Sequence, residues 1–179
     1  FTLGSTSSLS GPGRVLITGA SVTAQGSPTL SSALSLSAGS FGATGSLTLT
    51  NLTHSGGTFD SAGTITLAGT PTWSGGTWSG TGTVQVNPGT TLSLSGSNKF
   101  LGLANLVNQG TINWSSGAVT IASDGTLNNQ GRFDIQGDLN WGRTPGVGPE
   151  SVEAPPYATT TTLLNSGTRS EEHTSELQS

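Results

Sequence analysis

GSFGATGSLTL (39–49), GTFDSAGTITL (57–67) and GTWSGTGTVQV (76–86) are one phrase written three times. Each copy reads Gly, then Ser or Thr, an aromatic ring, three variable residues, Gly, Ser or Thr, and two aliphatic residues separated by Thr or Gln. The copies start 18 and 19 residues apart. Several columns recurring together at that spacing mark a chain built from stacked units. Within each copy the aliphatic residues lie two apart: Leu47 and Leu49, Ile65 and Leu67, Val84 and Val86. Period two places such a pair on one face of a β-strand. Leu92 and Leu94, and Phe133 and Ile135, carry the same alternation outside the phrase. Gly, Asn or Ser-Gly turns separate the short strands. A strand pair of this size cannot bury its own apolar face, so successive units must stack. Stacking sets Leu47 over Ile65 over Val84, and Leu49 over Leu67 over Val86.

These features predict an all-β fold, a parallel β-solenoid, most simply a right-handed β-helix, with no helices of note. Division by the repeat length gives about eight coils of 18–22 residues. At ~4.8 Å per coil the rod would be roughly 35–40 Å long. Two further repeat families support the stack. One is LVNQGTI (106–112), LNNQGRF (127–133) and LNSGT (164–168); the other is HSGGTF (54–59), WSGGTW (73–78) and WSSGAV (114–119).

Composition narrows the function classes. Ser and Thr supply 56 of 179 residues, and good helix formers are sparse, which argues against a helical bundle. Five basic residues cannot neutralise a run of phosphates, so no nucleic-acid partner is expected. The absence of Cys excludes a disulfide framework, a thiolate nucleophile and a Cys-based zinc site. No apolar run approaches the ~20 residues of a membrane helix, so no membrane insertion is expected from this segment.

Three segments depart from the pattern. RTPGVGPESVEAPPYA (143–158) holds four of the eight prolines. Proline removes ladder donors, so this stretch reads as an insertion loop between coils at 1–142 and a resumed coil at 159–168. The last eleven residues, RSEEHTSELQS (169–179), resemble the translation of a common sequencing adapter at every position. They are set aside as non-native. The remaining charge is four basic residues (Arg14, Lys99, Arg132 and Arg143) against six acids, net −2. Phe1 at the start and Thr168 inside a repeat read as the boundaries of a fragment.

GTWSGTGTVQV, GTTLSLSGSNKFLG (89–102), LVNQGTINWSSGAVTI (106–121) and TLNNQGRFDIQGD (126–138) resemble the strand repeats of large bacterial secreted and surface proteins of the filamentous-haemagglutinin-like and autotransporter-passenger type. The resemblance covers roughly residues 34–142. It implies a right-handed β-helix at the cell surface or outside the cell, with a scaffold or adhesive role and no cofactor. It supplies no catalytic residue to carry over.

The chemistry-bearing residues read mostly as structure. Asp134 and Asp138 lie four apart in RFDIQGD, and turn acids usually bond their own backbone. Asp60, Asp124, Glu150 and Glu153 are scattered, and a glycosidic pair needs two carboxylates ~5–10 Å apart. His54 is the one histidine outside the tail and shares a column with Trp73, which makes it a coil-edge residue. Calcium-binding repeats need an Asp in each unit, and only Asp60 qualifies, so no metal site is expected. Phe41, Phe59 and Trp78 fall in one column, flanked by small polar residues, and form a stacked core. Asn108, Asn129 and Asn165 each precede x-Gly in one turn column and form an amide ladder. Ser46, Thr48, Thr50, Thr64, Thr66 and Thr83 point outward, an arrangement that suits ice binding until Gln85 interrupts it.

The expected function is a non-catalytic structural or adhesive stalk, with carbohydrate or a host or matrix protein as partner and the rest of a parent chain at its ends. Function on repeats sits in loops, so Glu150, Glu153 and Tyr157 are the expected contact groups. The alternatives are a non-catalytic part of a polysaccharide-active β-helix enzyme, or an ice-binding solenoid.

Overall fold

A computed structural model describes residues 1–122, 125–136, 141–143 and 162–171. In chain order the first strands are β1 (Thr2–Leu3), β2 (Ser8–Leu9), β3 (Arg14–Ala24), β4 (Thr29–Leu30), β5 (Ala33–Ala43), β6 (Leu47–Thr50), β7 (Thr53–His54), β8 (Thr58–Ser61), β9 (Thr64–Ala68) and β10 (Thr72–Trp73). They are followed by β11 (Gly76–Val86), β12 (Thr91–Leu94), β13 (Lys99–Asn108), β14 (Thr111–Trp114), β15 (Val119–Ile121), β16 (Thr126–Asn129), β17 (Arg132–Ile135), β18 (Trp141–Arg143), β19 (Thr162–Asn165) and β20 (Thr168–Glu171). All pairings among them are parallel, and no helix occurs among the described residues.

The strands sort into three faces of a solenoid. The Phe41 face stacks β1, the ends of β3 and β5, β8, and the starts of β11 and β13, then β15 and β18. The Leu47 face holds β2 and β4, then β6, β9, the ends of β11 and β13, β16 and β19. The Leu34 face stacks the starts of β3 and β5, then β7, β10, β12, β14, β17 and β20. The longest strands turn a corner in mid-run; β11 does so at Gly80, where its register with β13 shifts.

The aliphatic columns align as the repeats dictate. Leu47 lies opposite Ile65 and Ile65 opposite Val84, with Leu49, Leu67 and Val86 beside them. All six are buried, while Thr48 and Thr64 on the alternate parity are exposed. Burying one such side chain contributes roughly 1.5–3 kcal/mol, and the repeat multiplies that contribution turn by turn. The glycine of the phrase is needed where coils meet most closely. A Cβ on Gly63 would stand 2.3 Å from the Gly45 carbonyl oxygen, and one on Gly82 2.1 Å from that of Gly63.

About six turns of the solenoid lie within the continuous stretch 1–122, and β15–β20 add two further levels, so that each face stacks eight strands. The offset between stacked positions is 18 residues at Thr48–Thr66 but 22 at Val86–Asn108 and 21 at Asn108–Asn129. Later turns therefore use more chain than earlier ones. Asn129 and Asn165, which also stack, are 36 residues apart. The 143–158 segment lies within that longer interval. Its first residue, Arg143, belongs to β18 opposite Ile121 rather than to an insertion; residues 144–158 lie outside the described residues. In 159–168, Thr162–Asn165 form β19. The strand β20 runs from Thr168 through Arg169–Glu171, extending into the stretch set aside as non-native, and pairs with β17. An open sheet edge offers backbone groups to any extended chain, whatever its origin.

Candidate functional site

The polar chemistry that the structure does bring together is internal. At the corner from the Leu34 face to the Phe41 face, a backbone carbonyl is met by a buried donor in four turns. His54 Nε2 lies 3.3 Å from Gly57 O, Trp73 Nε1 donates to Gly75 O at 3.0 Å, and Trp114 Nε1 donates to Gly117 O at 2.8 Å. The turn between them carries Leu94 in the column of Trp73 and Trp114, and an aliphatic side chain has no donor. There Lys99 substitutes, its Nζ donating to Ser97 O at 2.8 Å and Ser116 O at 3.1 Å. Lys99 is 2% exposed, and burial lowers its pKa from the usual lysine value. A buried carbonyl left unpaired costs about 1–3 kcal/mol, a cost that the donors at these four corners remove. Among the described residues no buried side-chain nitrogen or oxygen lacks a hydrogen-bond partner.

His54 is the centre of an aromatic cluster rather than a coil-edge residue. It is fully buried and stacks 6.3 Å from Trp73 with planes 5° apart. Trp73 and Trp78 stack at 4.2 Å, and Phe59 lies 5.7 Å from Trp78 and 5.7 Å from Phe41. Phe41, Phe59 and Trp78 are all core residues. Trp78 Nε1 donates to His54 Nδ1 at 2.7 Å, so the imidazole proton sits on Nε2, facing Gly57 O. Burial pushes the His54 pKa down from 6.5 to about 4, against the smaller opposing effect of the backbone bonds. The ring has room because Gly76 above it has no side chain: a Cβ there would lie 2.8 Å from His54 Nε2. Gly76 also adopts a φ of 86°, a left-handed conformation that disfavours other residues.

The asparagines form a second column, with Asn108 and Asn129 buried and Asn165 exposed. Asn108 Nδ2 donates to Asn129 Oδ1 at 2.7 Å, and Asn129 Nδ2 donates to Asn165 Oδ1 at 2.7 Å. Asn108 Nδ2 also reaches Arg132 O at 2.8 Å. Outside it, Gln85 Nε2 donates to Gln109 Oε1 at 2.7 Å and Gln109 Nε2 to Gln130 Oε1 at 3.2 Å. The glutamine column was not read from the sequence, though the Gln of N-Q-G recurs at 109 and 130 and is its visible signal.

The acids do not converge among the described residues. Asp134 lies on β17 rather than in a turn, with Arg132, Gln136 and Ser170 hydrogen-bonded to its carboxylate. The Ser170 bond first, then Gln136 and Arg132, holds its pKa below the ordinary carboxylate value. Asp60 accepts from Ser79 Oγ at 2.9 Å. It sits on the Phe41 face in the turn of β7, four turns below Asp134, an axial separation of about 19 Å at ~4.8 Å per turn. These two cannot flank one glycosidic bond. Asp124, Asp138, Glu150, Glu153 and Tyr157 lie outside the described residues. No three of His, Cys, Asp and Glu gather as a metal site among the described residues. No described helix is long and apolar enough to cross a membrane.

Lys99 was the residue sequence reasoning missed. It shares parity with buried Leu101 and follows an S-G turn preceded by Leu94 where the neighbouring repeats carry His54, Trp73 or Trp114, a signal present in the repeat alignment. Comparison with protein-family models, curated proteins and solved structures finds no match to this chain.

Proposed function

We propose that the chain is a stiff, non-catalytic stalk segment of a large secreted or cell-surface bacterial protein, holding adhesive loops or a further domain away from the cell. The observation that carries this reading is the uninterrupted parallel register of the Leu34 face from β3 to β20, with an internal donor to the backbone carbonyls at four of its corners. Such a body resists bending because every turn is hydrogen-bonded along the axis to the next. The likeness of its repeats to surface-protein repeats supports an extracellular place. Carbohydrate or a host or matrix protein is the proposed partner, with Glu150, Glu153 and Tyr157 as contact groups.

The test is surface display. The chain is placed between a bacterial outer-membrane anchor and an epitope tag, and cells are scored for tag accessibility and for adhesion to glycan- and matrix-coated surfaces. A companion in which 144–158 is replaced by a short Gly-Ser turn should keep its strand signal in circular dichroism and lose adhesion. Unchanged adhesion after that replacement removes the contact role. Release of reducing ends from a polysaccharide panel by the purified protein overturns the non-catalytic reading.

A further inference from the structure

The outer surface of the Phe41 face carries one aromatic ring among hydroxyls. The strand register stacks its outward side chains in two columns. Ser40, Thr58, Thr77, Phe100 and Thr120 form one; Gly42, Asp60, Ser79 and Gly102 form the other. From β5 to β15 every member of the first column except Phe100 is Ser or Thr. Phe100 is half-buried, while its neighbours Lys99 and Leu101 on the inward parity are buried. The core therefore does not account for this ring. Apart from Phe1, it is the one described aromatic side chain that reaches solvent.

Gly102 sets the pose of the ring. A Cβ there would stand 2.9 Å from Phe100 Cε1 and 3.6 Å from Cδ1, so the ring leans along the strand over the glycine. In the turn below, Ser79 lies opposite Gly102. Ser79 Oγ donates to Asp60 Oδ1 at 2.9 Å, one turn further down. Asp60 Oδ2 receives no donor among the described residues. The position beneath it is Gly42, whose outward side is open: a Cβ there would meet nothing within 4 Å. A ring, a hydroxyl and an acceptor-only carboxylate thus descend the face one turn at a time, about 9.6 Å from first to last.

This order matches a sugar chain laid along the rod. A pyranose presents a C–H face, which the negative face of an aromatic ring attracts, and edge hydroxyls, which donate to a carboxylate. One pyranose is about as long as the ~4.8 Å rise of a turn, so two sugar rings reach from Phe100 to Asp60. The described side chains on this outer surface include no cation, because Lys99 is turned inward to Ser97 O and Ser116 O, so a neutral sugar fits better than an acidic one. We propose that Phe100, Ser79 and Asp60 form a platform for a neutral oligosaccharide, at a site separate from the 144–158 segment. The proposal rests on the adhesive reading and names carbohydrate as its partner.

Titration of the isotope-labelled protein with cellotetraose, maltotetraose and chitotetraose, read by the Phe100 ring protons and the backbone amides, tests this. At least one sugar should shift Phe100, Ser79 and Gly102 saturably, with half-saturation on the order of 0.1–10 mM. Phe100→Thr installs the residue that the column carries at 58, 77 and 120, so the fold should persist while binding weakens about tenfold or more. Asp60→Asn keeps an oxygen for Ser79 and removes the charge, and should weaken binding about threefold to tenfold. The proposal is overturned by no shift from any of the three sugars, by shifts spread evenly over the three faces, or by full binding to either variant. Phe100 shifts that follow protein concentration without sugar assign the ring to a second copy and overturn it as well. Cells displaying Phe100→Thr that adhere to a glycan-coated surface as well as the parent overturn the platform and leave the adhesive reading standing. Parent cells that adhere to no surface remove the adhesive reading, and the titration then decides the platform by itself.

Discussion

Acidification should loosen the solenoid through His54 over a defined pH range. The folded protein holds this imidazole neutral, with a pKa of about 4 against 6.5 for a free side chain. Between those values the unfolded chain takes up a proton that the folded chain refuses, so stability falls as pH drops from about 6.5 to 4 and levels below. The difference of 2.5 units, at ~1.36 kcal/mol each, comes to about 3 kcal/mol. That is a large share of the ~5–15 kcal/mol by which domains are stable. The structure explains the refusal: Nδ1 already accepts the Trp78 indole N–H, so a proton there would set two donors face to face inside an aromatic cluster. The assay is urea unfolding followed by tryptophan fluorescence at several pH values, for the protein and for His54→Phe. Phe keeps the stacked disc and removes the titration; the other ionisable groups are common to both proteins and cancel. The two unfolding midpoints should converge as pH falls toward 4. Parallel pH dependences for the two proteins would refute the buried neutral imidazole.

Three substitutions test the other internal contacts. Lys99→Met should lower stability by about 2–4 kcal/mol, because Ser97 O and Ser116 O both lose their donor, and thermal melting should show the loss. Asn129→Leu should cost about 2–3 kcal/mol and speed amide exchange in β16 and β14 more than in β5, since the amide ladder is local to the later turns. Gly63→Ala should cost about 1–3 kcal/mol or prevent folding, since its Cβ would collide with the Gly45 carbonyl; a melting temperature equal to that of the parent would contradict the close approach of the coils.

Much of the fold is legible in the letters because strand parity and repeat offset are properties of side chains. Leu47, Ile65 and Val84 can be stacked on paper, and Phe41, Phe59 and Trp78 follow from the same alignment. Asn-x-Gly places Asn108, Asn129 and Asn165 in one column, and their amide bonds follow from that column. Backbone demands were harder to read. The inward corner carbonyls have no letter of their own, so His54 reads as an edge residue and Lys99 as a solvated cation until the donors they supply are seen. Asp134 looks like a turn acid because RFDIQGD contains Gly, yet its strand continues through Ile135. One averaged repeat length also hides the lengthening of the later turns, from 18 residues at Thr48–Thr66 to 22 at Val86–Asn108.

The corner donors have an evolutionary corollary. Trp73, Trp114 and His54 each cap a carbonyl two or three residues ahead, inside their own turn. A recombination event that deletes or duplicates one whole repeat therefore carries the cap along with the carbonyl it serves. Loss of residues 55–73, for example, joins His54 to Ser74 and regenerates the phrase H-S-G-G-T-W with its columns continuous. Lineages carrying such a gene should differ in rod length by whole turns more readily than in turn design. The boundary they should avoid is the one after Lys99, whose ammonium is shared with Ser116 of the following turn.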